Sequence, residues 1–152
     1  MEKTKKNNKG FSLVELIVVV LIMAIIAVSL APQVMKWVDQ SRQATDVQTK
    51  DAIVSAMAIA ATNKTVYGGT IKASVSKSGV TWSNYAAPAN NTSLTEAAFV
   101  TELKKVFDFD NAKCKSSATF TVTLGTDGKV TTTMSGFTGD IAAEVSPTPI
   151  TP

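Results

Sequence analysis

The chain has 152 residues, enough for one modest domain plus a helix, and carries a net charge of +3. The whole excess lies in residues 1–10, which hold four Lys and one Glu, because the rest of the chain balances 11 Lys/Arg against 11 Asp/Glu. This local excess indicates membrane topology and not nucleic-acid binding. The chain has no His, which removes the commonest general base and metal ligand, and its single Cys114 excludes an intramolecular disulfide.

An apolar segment follows the lysine-rich start. It runs for 21 residues from Phe11 to Ala31, and its only polar residues are Ser12, Glu15 and Ser29. That length is about what a helix needs to cross ~30 Å of hydrocarbon. A carboxylate inside such a segment costs about 2.5–3.5 kcal/mol on insertion scales. We therefore expect Glu15 to have a partner.

The combined pattern of Gly10, Phe11, Glu15 and Pro32 behind a short basic leader resembles the precursors of type IV pilins and type II secretion pseudopilins. The resemblance covers residues 1 to about 62. It implies that a dedicated peptidase cuts between Gly10 and Phe11, and that Phe11 is then N-methylated. It also implies that Glu15 pairs with the terminal amine of a neighbouring Phe11, and that Pro32 bends the helix.

The same resemblance implies the partners of the chain. These are the prepilin peptidase and methyltransferase, the inner-membrane assembly machinery, the membrane before assembly, and other copies of the chain in a helical homopolymer. The implied location is the cell membrane for the single-pass precursor and the cell surface for the filament. Pilins with a C-terminal disulfide are frequent in Gram-negative bacteria, so the single Cys114 favours a Gram-positive source.

Two other interpretations of the N-terminus compete with this one. A secretory signal peptide would fit a cut after Ser29-Leu30-Ala31, but Pro32 would follow that cut directly, and Ala27-Val28-Ser29 is a looser alternative. A plain membrane anchor explains the length but neither Glu15 nor Gly10-Phe11. The mass of the mature chain separates the three interpretations.

The helix is predicted to continue from Phe11 to Thr62, because residues 33–62 contain no Gly or Pro and are rich in Ala. A kink, or local melting on assembly, is expected around Val28 to Pro32. The second half should be amphipathic. Its apolar stripe comprises Val47, Ile53, Val54, Met57, Ala58 and Ala61, and its polar face comprises Lys36, Asp39, Arg42, Asp46, Lys50 and Asp51, with Asp46 and Lys50 spaced as an i, i+4 ion pair.

Beyond Tyr67-Gly68-Gly69 the pattern changes. Alternation over residues 71–75 and again at Val80 and Trp82 predicts a weak hairpin on an exposed loop, and residues 84–91 predict a surface loop. A second helix is expected after a Thr95 cap, with Leu94 and Phe99 as a hydrophobic staple or Ser93 and Glu96 as a rival capping box. Its apolar stripe would be Phe99, Leu103, Val106 and Phe107.

Residues 118–135 give the clearest strand pattern. A two-residue Asp127-Gly128 turn would place Leu124 opposite Thr131 and separate the apolar faces. A three-residue loop at 126–128 pairs Leu124 with Val130, Val122 with Thr132, and Phe120 with Met134, which keeps the apolar side chains on one face. We predict this second register, with a type I turn and Gly128 left-handed in a bulge.

These elements predict an α+β fold, in which a long N-terminal helix, about 11–62, packs against a small antiparallel sheet with a second short helix. The predicted domains are a removed leader at 1–10, a transmembrane or filament-core helix at 11–31, and the amphipathic half of that helix at 32–62. A globular head at 63–146 and a Pro-rich extended tail at 147–152 complete the chain.

The sequence shows no catalytic constellation, and we predict a structural protein without a cofactor. Cys114 lies between Lys113 and Lys115, which could lower the thiol pKa, but a small cysteine in a polar loop is the simpler interpretation. Asp108 and Asp110, with Asn111, could ligate calcium, although their spacing matches no complete loop signature. The scattered Lys104, Lys105, Lys113 and Lys115 read as a solvated face, so no specific nucleic-acid partner is indicated.

The predicted function is that of a major pilin polymerised into a type IV pilus for adhesion or twitching motility. A soluble part of moderate size, a net-neutral mature chain and the absence of an elaborate insertion favour a major subunit. The nearest alternative is a pseudopilin of a type II secretion or competence DNA-uptake apparatus. A more distant one is a secreted or membrane-anchored binding domain that does not polymerise.

Overall fold

A computed structural model of the chain describes residues 11–138 and residue 141. The elements are α1 (Leu13–Ala61), β1 (Thr70–Ser76), β2 (Gly79–Ala86), α2 (Glu96–Lys104), β3 (Thr119–Leu124) and β4 (Val130–Ser135). The predicted α+β architecture is therefore confirmed. The chain divides into two compact units, residues 1–37 and 38–152. The predicted domain boundaries stay predictions, and the leader and the Pro-rich tail lie outside the described residues.

Helix α1 begins two residues later and ends one residue earlier than predicted. It contains no Gly, and Pro32 is its one helix-breaking residue. At its C-terminus the backbone N–H groups of Thr62 and Asn63 donate to the carbonyls of Ile59 and Ala60, at 3.1 and 2.9 Å. These short-range bonds tighten the last turn and occupy carbonyls that would otherwise lack a partner.

The C-terminal part of α1 contributes one face to the core of the second unit. Ile53 and Met57 are fully buried there, and Val54 and Ala61 nearly so. The predicted stripe is thus largely confirmed, although Val47 is only half-buried. Apolar side chains of the sheet and of α2 complete this core, among them Ile71, Val75, Phe99, Leu103, Phe120, Val122 and Leu124.

The four strands form one antiparallel sheet in the order β2-β1-β3-β4. The hairpin of β1 and β2 is present, with Ser76 opposite Gly79. Its predicted placement on an exposed loop is wrong, because β1 is a central strand whose Ile71, Ala73 and Val75 are fully buried. Pairing of β1 with β3 joins segments about 50 residues apart in the chain, and local alternation carries no information about such pairing.

The surface loop predicted from residue 84 is also wrong at its start, because β2 continues to Ala86. Asn84 has a φ of +53°, and the register between β1 and β2 shifts between Thr70 and Lys72. Asn tolerates this left-handed conformation better than most residues, so the strand passes through a polar segment by way of an irregularity. From sequence the same Asn is typical of a loop.

The predicted register of β3 and β4 is confirmed. Leu124 lies opposite Val130, and Val122 and Phe120 lie opposite Thr132 and Met134. The turn is closed by a bond from Gly128 N–H to the Gly125 carbonyl at 3.0 Å, and Gly128 has the predicted positive φ of +77°. The apolar face decided the register, because the two-residue alternative would have divided it.

Helix α2 begins at Glu96 with the predicted Thr95 cap, whose Oγ1 accepts a hydrogen bond from Ala98 N–H at 3.3 Å. The rival Ser93 instead donates to the Asn91 side chain. Phe99 and Leu103 are buried as predicted. The helix ends at Lys104, before the other two residues of the predicted stripe, so Val106 is exposed and Phe107 is only partly buried against the core.

Candidate functional site

The N-terminal part of α1 presents an apolar surface that no other residue among 11–138 covers. Every residue from Phe11 to Val38 is exposed, and Phe11 itself is 84% exposed. The helix is long and apolar enough to cross a membrane. A contiguous apolar surface of this extent is typical of a site that lipid or another protein covers.

Glu15 lies in the first turn of this helix. Its Oε2 accepts a hydrogen bond from Ser12 N–H at 3.2 Å, so the carboxylate caps the helix to which it belongs. The aligned peptide dipoles at a helix N-terminus also favour a negative charge there. This contact offsets, within a single subunit, part of the cost of placing the Glu15 carboxylate in an apolar segment. The spacing Ser12-x-x-Glu15 is a capping-box pattern that could have revealed the contact.

Pro32 lies within α1, which is a single helix from Leu13 to Ala61. Its missing N–H leaves the carbonyl four residues earlier without its usual helical partner. The predicted kink and the melting on assembly stay predictions. Gly10, the residue before the predicted cut, lies outside the described residues, and Phe11 lies just before the helix.

Residues 5–31 match the prokaryotic N-terminal methylation motif. This is the prepilin signature of type IV pilins and pseudopilins. No curated protein and no solved structure gave a significant match to the chain. The match covers the N-terminal segment and does not extend into the head.

The prepilin signature carries several consequences directly. It implies a structural subunit that a prepilin peptidase processes and that assembles into a pilus. The signature and the exposed apolar helix fit a membrane-anchored precursor and an extracellular filament. The match gives no support to the Gram-positive source that the single cysteine favoured.

In the second unit, a buried carboxylate joins α1 to the loop before β3. Asp46 is fully buried. One of its oxygens accepts the Lys115 N–H at 2.6 Å, and the other accepts the Ser116 N–H at 2.9 Å and the Ser116 O–H at 2.5 Å. Three donors thus satisfy the charge in the interior, as a buried carboxylate requires.

One turn earlier, Gln43 makes a second polar connection. This buried side chain donates to Thr138 Oγ1 at 3.1 Å and to Asp39 at 2.8 Å, and its Oε1 accepts the Thr138 N–H at 2.9 Å. Thr138 follows β4, whereas the partners of Asp46 precede β3. Asp46 and Gln43 of α1 therefore bind the segments that precede and follow the β3–β4 hairpin.

The placement of Asp46 corrects the predicted polar face. Asp46 is neither solvated nor paired with Lys50, which instead contacts Asp51 at 2.8 Å. Helical spacing alone placed Asp46 with the exposed charges. Its burial depends on a loop about 70 residues further along the chain, and no local signal in the sequence identifies that loop as a partner.

Cys114 is buried within the core, so the predicted place in a polar loop is wrong. Its thiol lies 3.6 Å from the Val75 carbonyl. Burial, with the Asp46 carboxylate adding to it, raises the pKa of the Cys114 thiol from its ordinary 9.0 to about 11. The lowered pKa that the flanking lysines could have produced is contradicted, because those side chains are exposed while the sulfur lies inside.

Cys114 is therefore expected to react with iodoacetamide about 100-fold more slowly in the folded chain than in urea at the same pH, because two pKa units reduce the thiolate fraction by about that factor. Equal rates in the two states would contradict the burial. Since the folded pKa exceeds the ordinary one, stability present below pH 9.0 should be lost as the pH rises towards about 11. Cys114→Ala should abolish the labelling and reduce that loss.

The carboxylates of the two calcium candidates, Asp108 and Asp110, already have partners within the protein. The Asp108 carboxylate accepts bonds from the Asn111 side-chain amide at 2.6 Å and from the backbone N–H groups of Asp110 and Asn111. The Asn111 side chain and then these backbone groups lower the pKa of Asp108. Asp110 contacts Lys104 Nζ at 2.5 Å. The prediction of no cofactor stays untested, as does its weak alternative of calcium at Asp108 and Asp110.

Proposed function

We propose that the chain is the precursor of a major pilin, cut between Gly10 and Phe11, N-methylated at Phe11 and polymerised through α1 into a type IV pilus. The observation that carries the proposal is the uncovered apolar half of α1, most of which lies within the prepilin signature. In the membrane, lipid covers this surface, and in the filament the same surface packs against other copies of the helix.

Glu15 gives the assembly its register in this proposal. Its carboxylate lies at the exposed start of α1, four residues after Phe11, and the mature Phe11 carries a new terminal amine. A carboxylate and an amine that meet in a site without water form a strong pair. Each subunit would donate its amine to a neighbour and accept one in turn, so the contact repeats along a helical polymer.

In this role the head has to stay folded while the surroundings of the apolar helix change from lipid to other subunits. Asp46 and Gln43 attach the hairpin of β3 and β4 to α1 through buried hydrogen bonds. The sheet core adds an apolar contact with the same helix. A structural subunit needs this attachment, because a head that detached from its helix would not present a constant surface on the filament.

Immunogold electron microscopy with antibody to the soluble part, from Asn63 onward, tests the proposal. Labelling along long, thin surface fibres would establish a structural pilin for adhesion or motility. Tip-only labelling would indicate a minor subunit. Processed protein confined to the envelope without fibres would favour a pseudopilin of a secretion or DNA-uptake apparatus, in which the same signature occurs.

Gly10→Glu tests the cleavage site. The change places a charge beside the scissile bond, and desolvating that charge in the peptidase should slow cleavage by more than about 100-fold. Unprocessed precursor should therefore accumulate, as measured by intact-protein mass. Asn7→Glu introduces the same charge three positions earlier and should mature normally to a chain beginning at methylated Phe11. Efficient maturation of Gly10→Glu would contradict the assignment of the cut.

A further inference from the structure

Four basic side chains from three separate segments line one open cavity of about 420 Å³ in the second unit. Arg42 comes from α1, Lys77 from the turn between β1 and β2, and Lys113 and Lys115 from either side of Cys114. All four are exposed. No carboxylate lines the cavity, and within the described part of the chain none of the four has an acidic oxygen within 4.0 Å.

This clustering is not a result of a basic chain. Beyond residue 10 the chain balances 11 cations against 11 anions, yet four of the cations meet at this cavity. Elsewhere Lys50, Lys104 and Lys105 each contact an acidic side chain within 2.8 Å. Like charges placed together repel, and a bound anion is the simplest way to offset that repulsion.

The segments that carry the four cations are joined by hydrogen bonds from the backbone N–H groups of Cys114 and Lys115. Cys114 N–H donates to the Ser76 carbonyl at 3.0 Å, directly before Lys77. Lys115 N–H donates to Asp46, which lies one turn after Arg42 on α1. The backbone positions of the four side chains are therefore fixed before any ligand arrives, which reduces the entropy lost on binding.

Three acidic residues lie near this basic cavity, and each already accepts hydrogen bonds. Asp39, one turn before Arg42 on α1, accepts a bond from Gln43. Asp46 is buried and accepts three hydrogen bonds from the loop. Asp108 lines a neighbouring cavity of about 330 Å³ that also includes Lys113 and Lys115, and its carboxylate accepts bonds from Asn111 and from backbone N–H groups. Four cations against three engaged carboxylates still leave the basic cavity with positive charge.

We propose that the basic cavity binds the phosphate group of inorganic phosphate or of a small phosphate ester. Arg42 supplies a planar fork that suits two phosphate oxygens, and the three lysines supply point charges around it. No aromatic side chain lines the cavity, so it lacks a platform for stacking a nucleobase. The site forms within one chain and does not depend on polymerisation.

The test is a titration of the ¹⁵N-labelled full chain in detergent micelles with inorganic phosphate and, separately, with glycerol 3-phosphate, followed by amide NMR. We expect saturable shifts at Lys77 and at residues 113–115, with a Kd of about 1 mM. Tighter binding of glycerol 3-phosphate would assign the site to an ester, and equal binding would assign it to the phosphate group alone. Either result supports the proposal.

A matched pair of variants locates the binding. Lys77→Ala should weaken the Kd at least about 3-fold, whereas Lys129→Ala, which removes the same charge from the other hairpin turn, should change it less than about 2-fold. Arg42→Ala should weaken binding about tenfold. If that variant alters the whole spectrum, Lys115→Gln replaces it, because Lys115 is exposed and its backbone contact with Asp46 does not require the side chain.

Three results would overturn the proposal. Sodium chloride at matched ionic strength could produce the same shifts, which would show screening and not binding. Lys129→Ala could weaken the Kd as much as Lys77→Ala does. Alternatively, both small phosphates could fail to bind while a DNA duplex binds, with an affinity whose salt dependence decreases when the four basic residues are replaced. That last result would identify an extended nucleic-acid surface in place of a compact phosphate site.

Discussion

Replacing Glu15 with valine is expected to reduce surface filaments about 100-fold or more, while the subunit still inserts in the membrane and is still processed. In the proposed filament, Glu15 is desolvated beside the Phe11 amine of a neighbour. Removing one partner of a buried ion pair typically costs about 3–5 kcal/mol, because the other charge remains buried alone. Each 1.4 kcal/mol changes an association constant about tenfold.

Insertion should respond in the opposite direction. Valine removes a charge from the apolar segment, and a charged residue there costs about 2.5–3.5 kcal/mol on insertion scales. The Ser12 contact offsets part of this cost in the native chain, so we expect a modest gain in membrane insertion. Membrane fractionation, intact-protein mass and filament counts by electron microscopy together separate insertion, processing and assembly.

Glu15→Gln is the matched control for the cap. Glutamine keeps an oxygen that can accept the Ser12 N–H, so the helix start should be retained, but it carries no charge for the amine. Filaments should therefore be lost in this variant as well. A normal filament number in Glu15→Gln would leave capping as the role of Glu15 and would refute charge pairing.

The second large effect is expected at Asp46. Asp46→Ala leaves the Lys115 N–H and the N–H and O–H of Ser116 without their acceptor in a buried site. An unsatisfied buried donor costs about 1–3 kcal/mol, so the free energy of unfolding of the head should fall by about 3 kcal/mol or more. Asp46→Asn keeps one acceptor oxygen but directs an amide NH₂ towards donors, and we expect a loss of about 2 kcal/mol.

Asp51→Asn is the control for Asp46. Asp51 lies on the same helix, its side chain is exposed, and its contact with Lys50 is a surface ion pair worth less than about 1 kcal/mol. Urea unfolding of the full chain in micelles measures the stability of both variants. The signal is the fluorescence of Trp82, whose ring packs against Phe109 in the folded head. If Asp46→Asn were no less stable than Asp51→Asn, the three hydrogen bonds would not stabilise the head.

Cys114 gives an independent measure of the same attachment. The residue directly precedes the Lys115 N–H that Asp46 holds, and its thiol is buried against the end of β1. If loss of the Asp46 contacts loosens this loop, Asp46→Asn should speed the alkylation of Cys114 in the folded chain. Because the Asp46 carboxylate also raises the pKa of the Cys114 thiol, the damage is localised to this loop only if alkylation accelerates by more than the increase in thiolate fraction measured for the same variant.

The local features of the fold were accessible from the sequence. The Thr95 cap, the β3–β4 register and the left-handed Gly128 each depend on residues close together in the chain, where spacing and turn chemistry specify geometry. The prepilin signature is likewise contiguous, and its Gly10, Phe11 and Glu15 can be read directly. Their individual roles in processing and assembly stay predictions.

Several of the misplaced features depend on contacts between distant segments. The first strand of the hairpin predicted to be exposed is central in the sheet, because β3 pairs with β1. Asp46, predicted on the polar face of α1, is buried because a remote loop supplies three hydrogen-bond donors to it. Lys113 and Lys115 were predicted to lie on a solvated face. In the folded head they line the same cavity as Arg42 and Lys77. The apolar helix, its signature and the local turns thus follow from the amino-acid order, because hydrophobic spacing and backbone sterics act over a few residues. Which polar groups are buried and which charges lie close together follows from the folded head, because burial and electrostatic interactions depend on distances in space.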